Sequence, residues 1–186
     1  MGAPFKVVLD ANAIYPLTLR DTLLRAAEEE FYQLYWSQEI LDEAKRNLID
    51  DKMMTEAQAT RMFKAMTDIF PEAMVTNYEG LIASMQNDPK DRHVAAAAVR
   101  AGAQVIVTDN LKDFRFIPEG IEAQSPDEFL SNLFDLDPER FTDLLRDQAA
   151  EMKKPPVTFE QLIGRLEKVA PDFVKQVRAH IAGSPN

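Results

Sequence analysis

Asp10, Glu43, Asp91 and Asp109 are the residues whose types and positions could do chemistry together. Asp10 closes the apolar run FKVVL and Asp109 closes QVIVT. Asp91 opens an alanine-rich segment, and Glu43 lies two turns into the segment that follows QLYW. In an open α/β sheet the ligand crevice lies outside the carboxyl ends of the strands. Acids far apart in sequence would therefore gather there. Bare carboxylates in one cleft raise each other's pKa and destabilise the fold, and a divalent cation offsets that repulsion. Oxygen ligands without cysteine select Mg2+ or Mn2+ over zinc. Such an ion, or a pair about 3.5–4 Å apart, can activate a water and stabilise the leaving oxygen of a phosphodiester. Each acid alone has a plainer reading. Asp91 could be a helix N-terminal acid favoured by the macrodipole. Glu43 could be one exposed acid of EILDE, and Asp10 and Asp109 could head Asx-type turns after strands.

The elements that must position these acids are legible in pattern. Residues 5–9, a continuous β-branched run, read as a buried parallel strand. Residues 16–30 read as a helix with Leu19, Leu23, Leu24 and Ala27 on one face. Residues 33–36 form a second strand candidate, and Ser37 caps a helix presenting Ile40, Leu41, Ala44 and Leu48. Thr55 caps another helix, which runs to Phe70, and residues 73–76 are a short strand candidate. The alanine-rich helix stops at Gly102. QVIVT is a further buried strand, and residues 121–124 are a last edge strand. Ser125-Pro126-Asp127-Glu128 is a capping box with proline at the first helical position.

This β-α-β-α-α-(β)-α-β-(β)-α order predicts an α/β fold, a central parallel sheet with helices on both sides. After Asp135 no strand candidates remain. Asp137-Pro138 opens a helix, Pro155-Pro156 breaks it, Thr158 with Gln161 caps another, and Pro171 interrupts the last. The division is therefore a domain over 1–135 and a helical C-terminal extension over 136–186. The apolar faces of that extension (Phe141, Leu144, Leu145; Phe159, Leu162, Ile163, Leu166) must pack on the first domain, a second copy or a partner.

Composition narrows the class. The chain has 186 residues, 46% hydrophobic and 28% charged, which suits one sizeable core with a small appendage and rules out wholesale disorder. Thirty-one acids against 21 bases give a net charge of −10. Bulk electrostatics therefore oppose nucleic-acid binding, which would need a held cation or a local basic rim. There is no cysteine, so no disulfide scaffold, and a reducing cytoplasm fits. No run reaches the ~18 residues of a membrane span. The opening MGAPFKVVLD enters a strand-like run at once, so no secretory signal is expected, and Lys6 weakens an N-myristoylation reading.

VVLDANAIY, WSQEILDEAKRNL and DPKDRHVAAAAVRAGAQVIVTDNLKDF, in that order, resemble the PIN-domain ribonucleases, and among them the VapC-type toxins of toxin–antitoxin pairs. The resemblance covers residues 4–130. It implies a three-layer α/β/α PIN-like fold and a Mg2+- or Mn2+-dependent endoribonuclease held inactive by a cognate antitoxin. Asp10, Glu43 and Asp91 match the family's first three acids. The fourth is open. Many members read Thr-x-Asp where this chain has Thr108-Asp109-Asn110. Either Asp109 ligates, or Asn110 takes the position as a neutral group with Asp113 compensating. Asn12 and Thr108 match residues that orient the acids.

Lys90, Arg92, Lys112 and Arg115 flank the acids as a phosphate-contacting rim, or are ordinary solvated charge. His93 reads as a partly exposed helix histidine, with RNA contact as the alternative. The substrate would be an RNA recognised by shape and unpaired bases, such as a structured loop in tRNA. An antitoxin and a second copy are the expected protein partners. Two rivals stand beside this reading. One is a catalytically degenerate PIN-like binding or regulatory module. The other is a haloacid-dehalogenase-type phosphatase, which needs a second aspartate where Asn12 stands.

Overall fold

The computed structural model describes residues 5–183. The opening residues behind the secretory-signal and acylation readings, and the last three residues, lie outside the described residues.

The described elements, in order, are β1 (Lys6–Leu9), α1 (Ala11–Ile14), α2 (Leu17–Glu28), β2 (Gln33–Ser37), α3 (Gln38–Asp50), α4 (Glu56–Ile69), β3 (Met74–Val75), α5 (Arg92–Ala101), β4 (Val105–Val107), β5 (Glu122–Gln124), α6 (Pro126–Leu136), α7 (Pro138–Glu151), α8 (Phe159–Leu166) and α9 (Pro171–Gly183). Short 3-10 turns cover Pro71–Ala73, Glu79–Ser84, Pro89–Asp91 and Leu111–Phe114. Among the described residues no helix is long and apolar enough to cross a membrane.

Two compact units form. Among the described residues the first is built from 5–16 and 32–124, the second from 17–31 and 125–183. Their limits differ from the division read in the sequence: α2 and α6 group with the C-terminal helices. An apolar stripe shows that a helix has a buried face, but not which neighbour covers it.

In the first unit five parallel strands form one sheet in the order β3-β2-β1-β4-β5. β1 is central, and its Val7, Val8 and Leu9 are fully buried, as a parallel strand covered on both faces requires. α3 packs on β2, and α5 packs on β1, β2 and β4. The expected parallel sheet flanked by helices is present. β5 is the edge strand that residues 121–124 predicted. The strand order reverses between β1 and β4, so the crevice opens beyond the carboxyl ends of those two strands. The peptide N–H of Asp10 still donates to the Val107 carbonyl, at 3.0 Å. Asp10 and Thr108 are the first residues past the two strands.

Local signals set the helices that feed this crevice. Ser37 accepts from the Ile40 N–H and starts α3 as β2 ends. Thr55 and Gln58 form a reciprocal capping box on α4. Gly102, at φ 66°, ends α5, so the chain turns into β4 within a few residues.

The second unit is helical, as expected of the C-terminal part. Phe31, Phe134, Phe141 and Phe173 meet edge-to-face, with ring centroids 5.1–6.2 Å apart. Thr22 on α2 donates a buried hydrogen bond to Gln148 on α7, and Arg25 pairs with Glu151 at 2.7 Å. The Asp127 carboxylate accepts from the Asp172 and Phe173 N–H groups at the start of α9. Phe141, Leu144, Leu145, Leu162, Ile163 and Leu166 are all buried, and α2 packs against α7 and α8.

Candidate functional site

Asp10 is only 3% exposed, a costly position for a carboxylate. Its Oδ1 accepts from the Ala11 N–H at 2.7 Å. Its Oδ2 accepts from Thr108 Oγ1 at 2.8 Å and from Asn12 Nδ2 at 3.0 Å. Asn12 Nδ2 also reaches Thr108 Oγ1 at 3.1 Å, and Asn12 Oδ1 receives the Asp109 N–H at 3.0 Å. Asn12 and Thr108 therefore fix the Asp10 carboxylate and lock the β1 and β4 ends together. Burial raises the pKa of Asp10, against the lowering effect of the Thr108 and Ala11 bonds, and Glu43 adds to the rise.

Asp91 occupies the helix N-terminal position that its plainer reading assigns. It stands at the N-cap of α5, yet its side chain caps no backbone N–H. Its Oδ2 is buried without a hydrogen-bond partner. Burial first, then the charges of Asp10, Asp113 and Glu43, push its pKa up to about 6, with Lys90 opposing.

Glu43, on α3, is half-buried and lies 3.6 Å from His93 Nε2. The His93 imidazole lowers its pKa despite partial burial. His93 is a correction to the expected partly exposed histidine: it is 6% exposed, on the inward side of α5. Its Nδ1 lies 3.8 Å from Glu39. Burial works against its charge, but Glu43, Glu39 and Asp10 outweigh it and raise its pKa. Helical spacing buries His93 beside the alanines that follow it, opposite an acidic α3.

The fourth position separates Asp109 from Asp113. Asp109 is exposed overall, and its pKa is raised by burial of the carboxyl group alone, with no coupling to the other acids. Asp113 couples to Asp91, and its buried Oδ2 lies 3.1 Å from Lys90 Nζ. The same Nζ is 4.0 Å from Asp91 Oδ2. The 3-10 turn Leu111–Phe114 brings Asp113 back, helped by the Asp88 N–H donating to the Asp113 carbonyl at 3.0 Å. Asn110 takes part through its peptide N–H, which donates to Thr108 Oγ1 at 3.0 Å.

The basic residues divide. Lys90 bridges Asp91 and Asp113. Arg92 is half-buried and donates through Nε to the Asn87 carbonyl, at 3.2 Å, so that part of it supports the loop. Lys112 and Arg115 are exposed.

A polar cleft of about 600 Å3 is lined by Glu39, Glu43, Lys90, Asp91 and His93, with Gln38, Asp42 and Arg46 at α3. Asp10 does not line it and joins the group through its coupling to Asp91 and Glu43. Among the described residues no three His, Asp or Glu side chains are drawn together into a ready metal-holding cluster. Repulsion between bare carboxylates works against such a cluster. What does fit a hard cation is the all-oxygen donor set, with Asp91 Oδ2 buried and without a hydrogen bond and Asp113 Oδ2 buried against Lys90 alone.

The sequence matches the PIN domain family over residues 6–112, more than half of the chain. The chain belongs to the PIN-domain family. Residues 126–179 match the VapC50 C-terminal domain, which falls within the helical second unit. A Mycobacterium tuberculosis protein named "Putative ribonuclease VapC50" is 40% identical over 117 residues, 61% of this chain and 69% of its own length. These matches make the chain a VapC-type PIN-domain protein and leave the phosphatase reading without support.

Proposed function

We propose that this PIN-domain protein is a metal-dependent endoribonuclease and the toxin of a type II toxin–antitoxin pair, neutralised by a cognate protein antitoxin. The observation that carries the reading is Asp91. It is buried, makes no capping hydrogen bond to its helix, has an Oδ2 with no hydrogen bond and only Lys90 at 4.0 Å, and shares the field of Asp10, Glu43 and Asp113. A degenerate binding module would have no use for that arrangement, which opposes folding. The name of the mycobacterial relative supports RNA as substrate.

In this reading Asp10, Glu43, Asp91 and Asp113 hold Mg2+ or Mn2+, with Asp113 in place of Asp109. The ion supplies water activation and charge neutralisation for phosphodiester hydrolysis. The protein's own groups do the rest. Thr108 and Asn12 fix Asp10 in one orientation and favour its ionised form. His93 holds Glu43 ionised and aimed from α3. Lys90 neutralises part of the Asp91–Asp113 charge and is the cation nearest the acids for an incoming phosphate. Lys112 and Arg115 supply the outer rim, which offsets the net charge of −10 locally.

Purified protein with Mg2+ or Mn2+ should cleave RNA, and its expression should arrest growth. Asp10→Asn and Asp91→Asn should each abolish both effects while far-UV circular dichroism stays native. Asp113→Asn should lose most activity, and Asp109→Asn should keep it. Wild-type cleavage by Asp91→Asn would overturn the metal assignment; the reverse order for the last two variants would return the fourth position to Asp109.

A further inference from the structure

We propose that Phe116, flanked by Lys112 and Arg115, is a base-stacking platform that seats an unpaired stretch of RNA beside the acidic cleft. The inference rests on the nuclease reading above and adds the residue that grips the substrate.

The segment Leu111–Phe116 treats its two phenylalanines oppositely. Phe114 is 2% exposed and pins the turn to the core. Phe116 is 69% exposed, more than any other exposed large hydrophobic residue among the described ones. A ring left in water forgoes the burial that a core phenylalanine gains. The neighbouring cations are also uncommitted. Arg25, Arg140, Arg146 and Arg178 all sit in ion pairs, whereas Lys112 and Arg115 are exposed and form none among the described residues.

Position makes the combination specific. Phe116 lies just past that turn, three residues after Asp113, so their Cα atoms are at most ~11 Å apart. Asp113 in turn shares Lys90 with Asp91. A nucleotide with its phosphate at the acids would have its neighbouring base within reach of the ring. Unpaired bases stack on aromatic faces whatever their sequence, while adjacent cations track the backbone. Both components occur here on an otherwise acidic protein.

The test is RNA binding by fluorescence anisotropy in Mg2+, in the Asp91→Asn background so that the RNA stays intact. The probe is an unstructured oligoribonucleotide of about twelve residues, within the site sizes such grooves cover. Phe116→Ala should weaken binding roughly tenfold or more, the scale of one lost stack, and Phe116→Trp should retain it. On the same oligonucleotide carrying abasic riboses, Phe116→Ala should change nothing. With Asp91 present, Phe116→Ala should raise KM for the intact RNA and leave kcat unaltered. Equal weakening on both RNAs, unchanged affinity on both, or no RNA binding at all overturns the platform. Unchanged RNA affinity with lost binding of a protein partner would reassign the ring to that partner. A wild-type protein that binds RNA without cutting it fails the nuclease reading alone, because the anisotropy comparison still decides the stacking.

Discussion

At residue scale, the buried Asp91 carboxylate costs stability, and the cost has a measurable sign. Its pKa is raised from 3.8 to about 6 in the folded protein. Between those values the native state binds more protons than the unfolded chain, so stability falls as pH rises. The favourable contribution is complete below pH ~4 and lost above pH ~6. At pH 7 and without metal, the ionised group costs up to about 3 kcal/mol, at 1.36 kcal/mol per pKa unit. Asp91→Asn should therefore raise the melting temperature in EDTA at pH 7. Its stability should also lose most of the decline that the wild type shows between pH 4 and 6. Adding Mg2+ or Mn2+ should stabilise the wild type more than the variant, because binding to the native state alone adds to its stability. Melting curves by circular dichroism in both conditions check this. A variant no more stable than the wild type in EDTA would show that the buried carboxylate is not strained.

At element scale, the cleft depends on how α5 hands the chain to β4. Asp91 and His93 stand at the head of α5, Gly102 ends it, and Thr108 follows β4. The Ala103 N–H returns to the Ala98 carbonyl at 2.9 Å around Gly102, whose φ of 66° is left-handed. A Cβ there would meet nothing within 4 Å, so only backbone conformation opposes substitution. Gly102→Ala should cost roughly 1–2 kcal/mol by urea denaturation, with native metal binding per folded molecule. A neutral result would mean that this turn relaxes freely. Such signals were readable because they are local: Ser37, Thr55, Thr158 and Gly102 each act on their own few residues, and β1 declares itself by an unbroken apolar run. Partnership was not readable. The stripe of α2 matched a helix anywhere in the molecule, and only tertiary contact groups it with α7 and α8. For the site, Asp10, Glu43 and Asp91 were legible because each sits beside a recognisable strand or helix end. Asp113 and Asp109 were not separable in the sequence, because the 3-10 turn Leu111–Phe114 is what brings Asp113 to Lys90. His93 was misjudged because burial of a polar helix residue depends on Glu39 and Glu43 of a different helix.

At the scale of the whole molecule, an excess of ten negative charges must admit a polyanion. The long-range field opposes RNA, and beyond ~10 Å it is screened at moderate salt. In the proposed reading affinity then rests on few cations, Lys90 beside Asp91 and Asp113 and the exposed Lys112 and Arg115. Counterion release from single-stranded RNA gives a log–log salt slope of about −0.7 per phosphate neutralised. Three such contacts predict a slope near −2 for binding of an unstructured RNA, shallow beside those of basic nucleic-acid-binding proteins. Lys112→Ala and Arg115→Ala should each flatten the slope by about 0.7. Phe116→Ala should weaken binding at every salt concentration without changing the slope, because stacking releases no ions. Anisotropy titrations across a salt series at fixed Mg2+ measure both quantities. A steep wild-type slope, or one that neither cation variant flattens, would mean that RNA is held elsewhere on the surface, and the rim would have to be abandoned even if the acids remain catalytic.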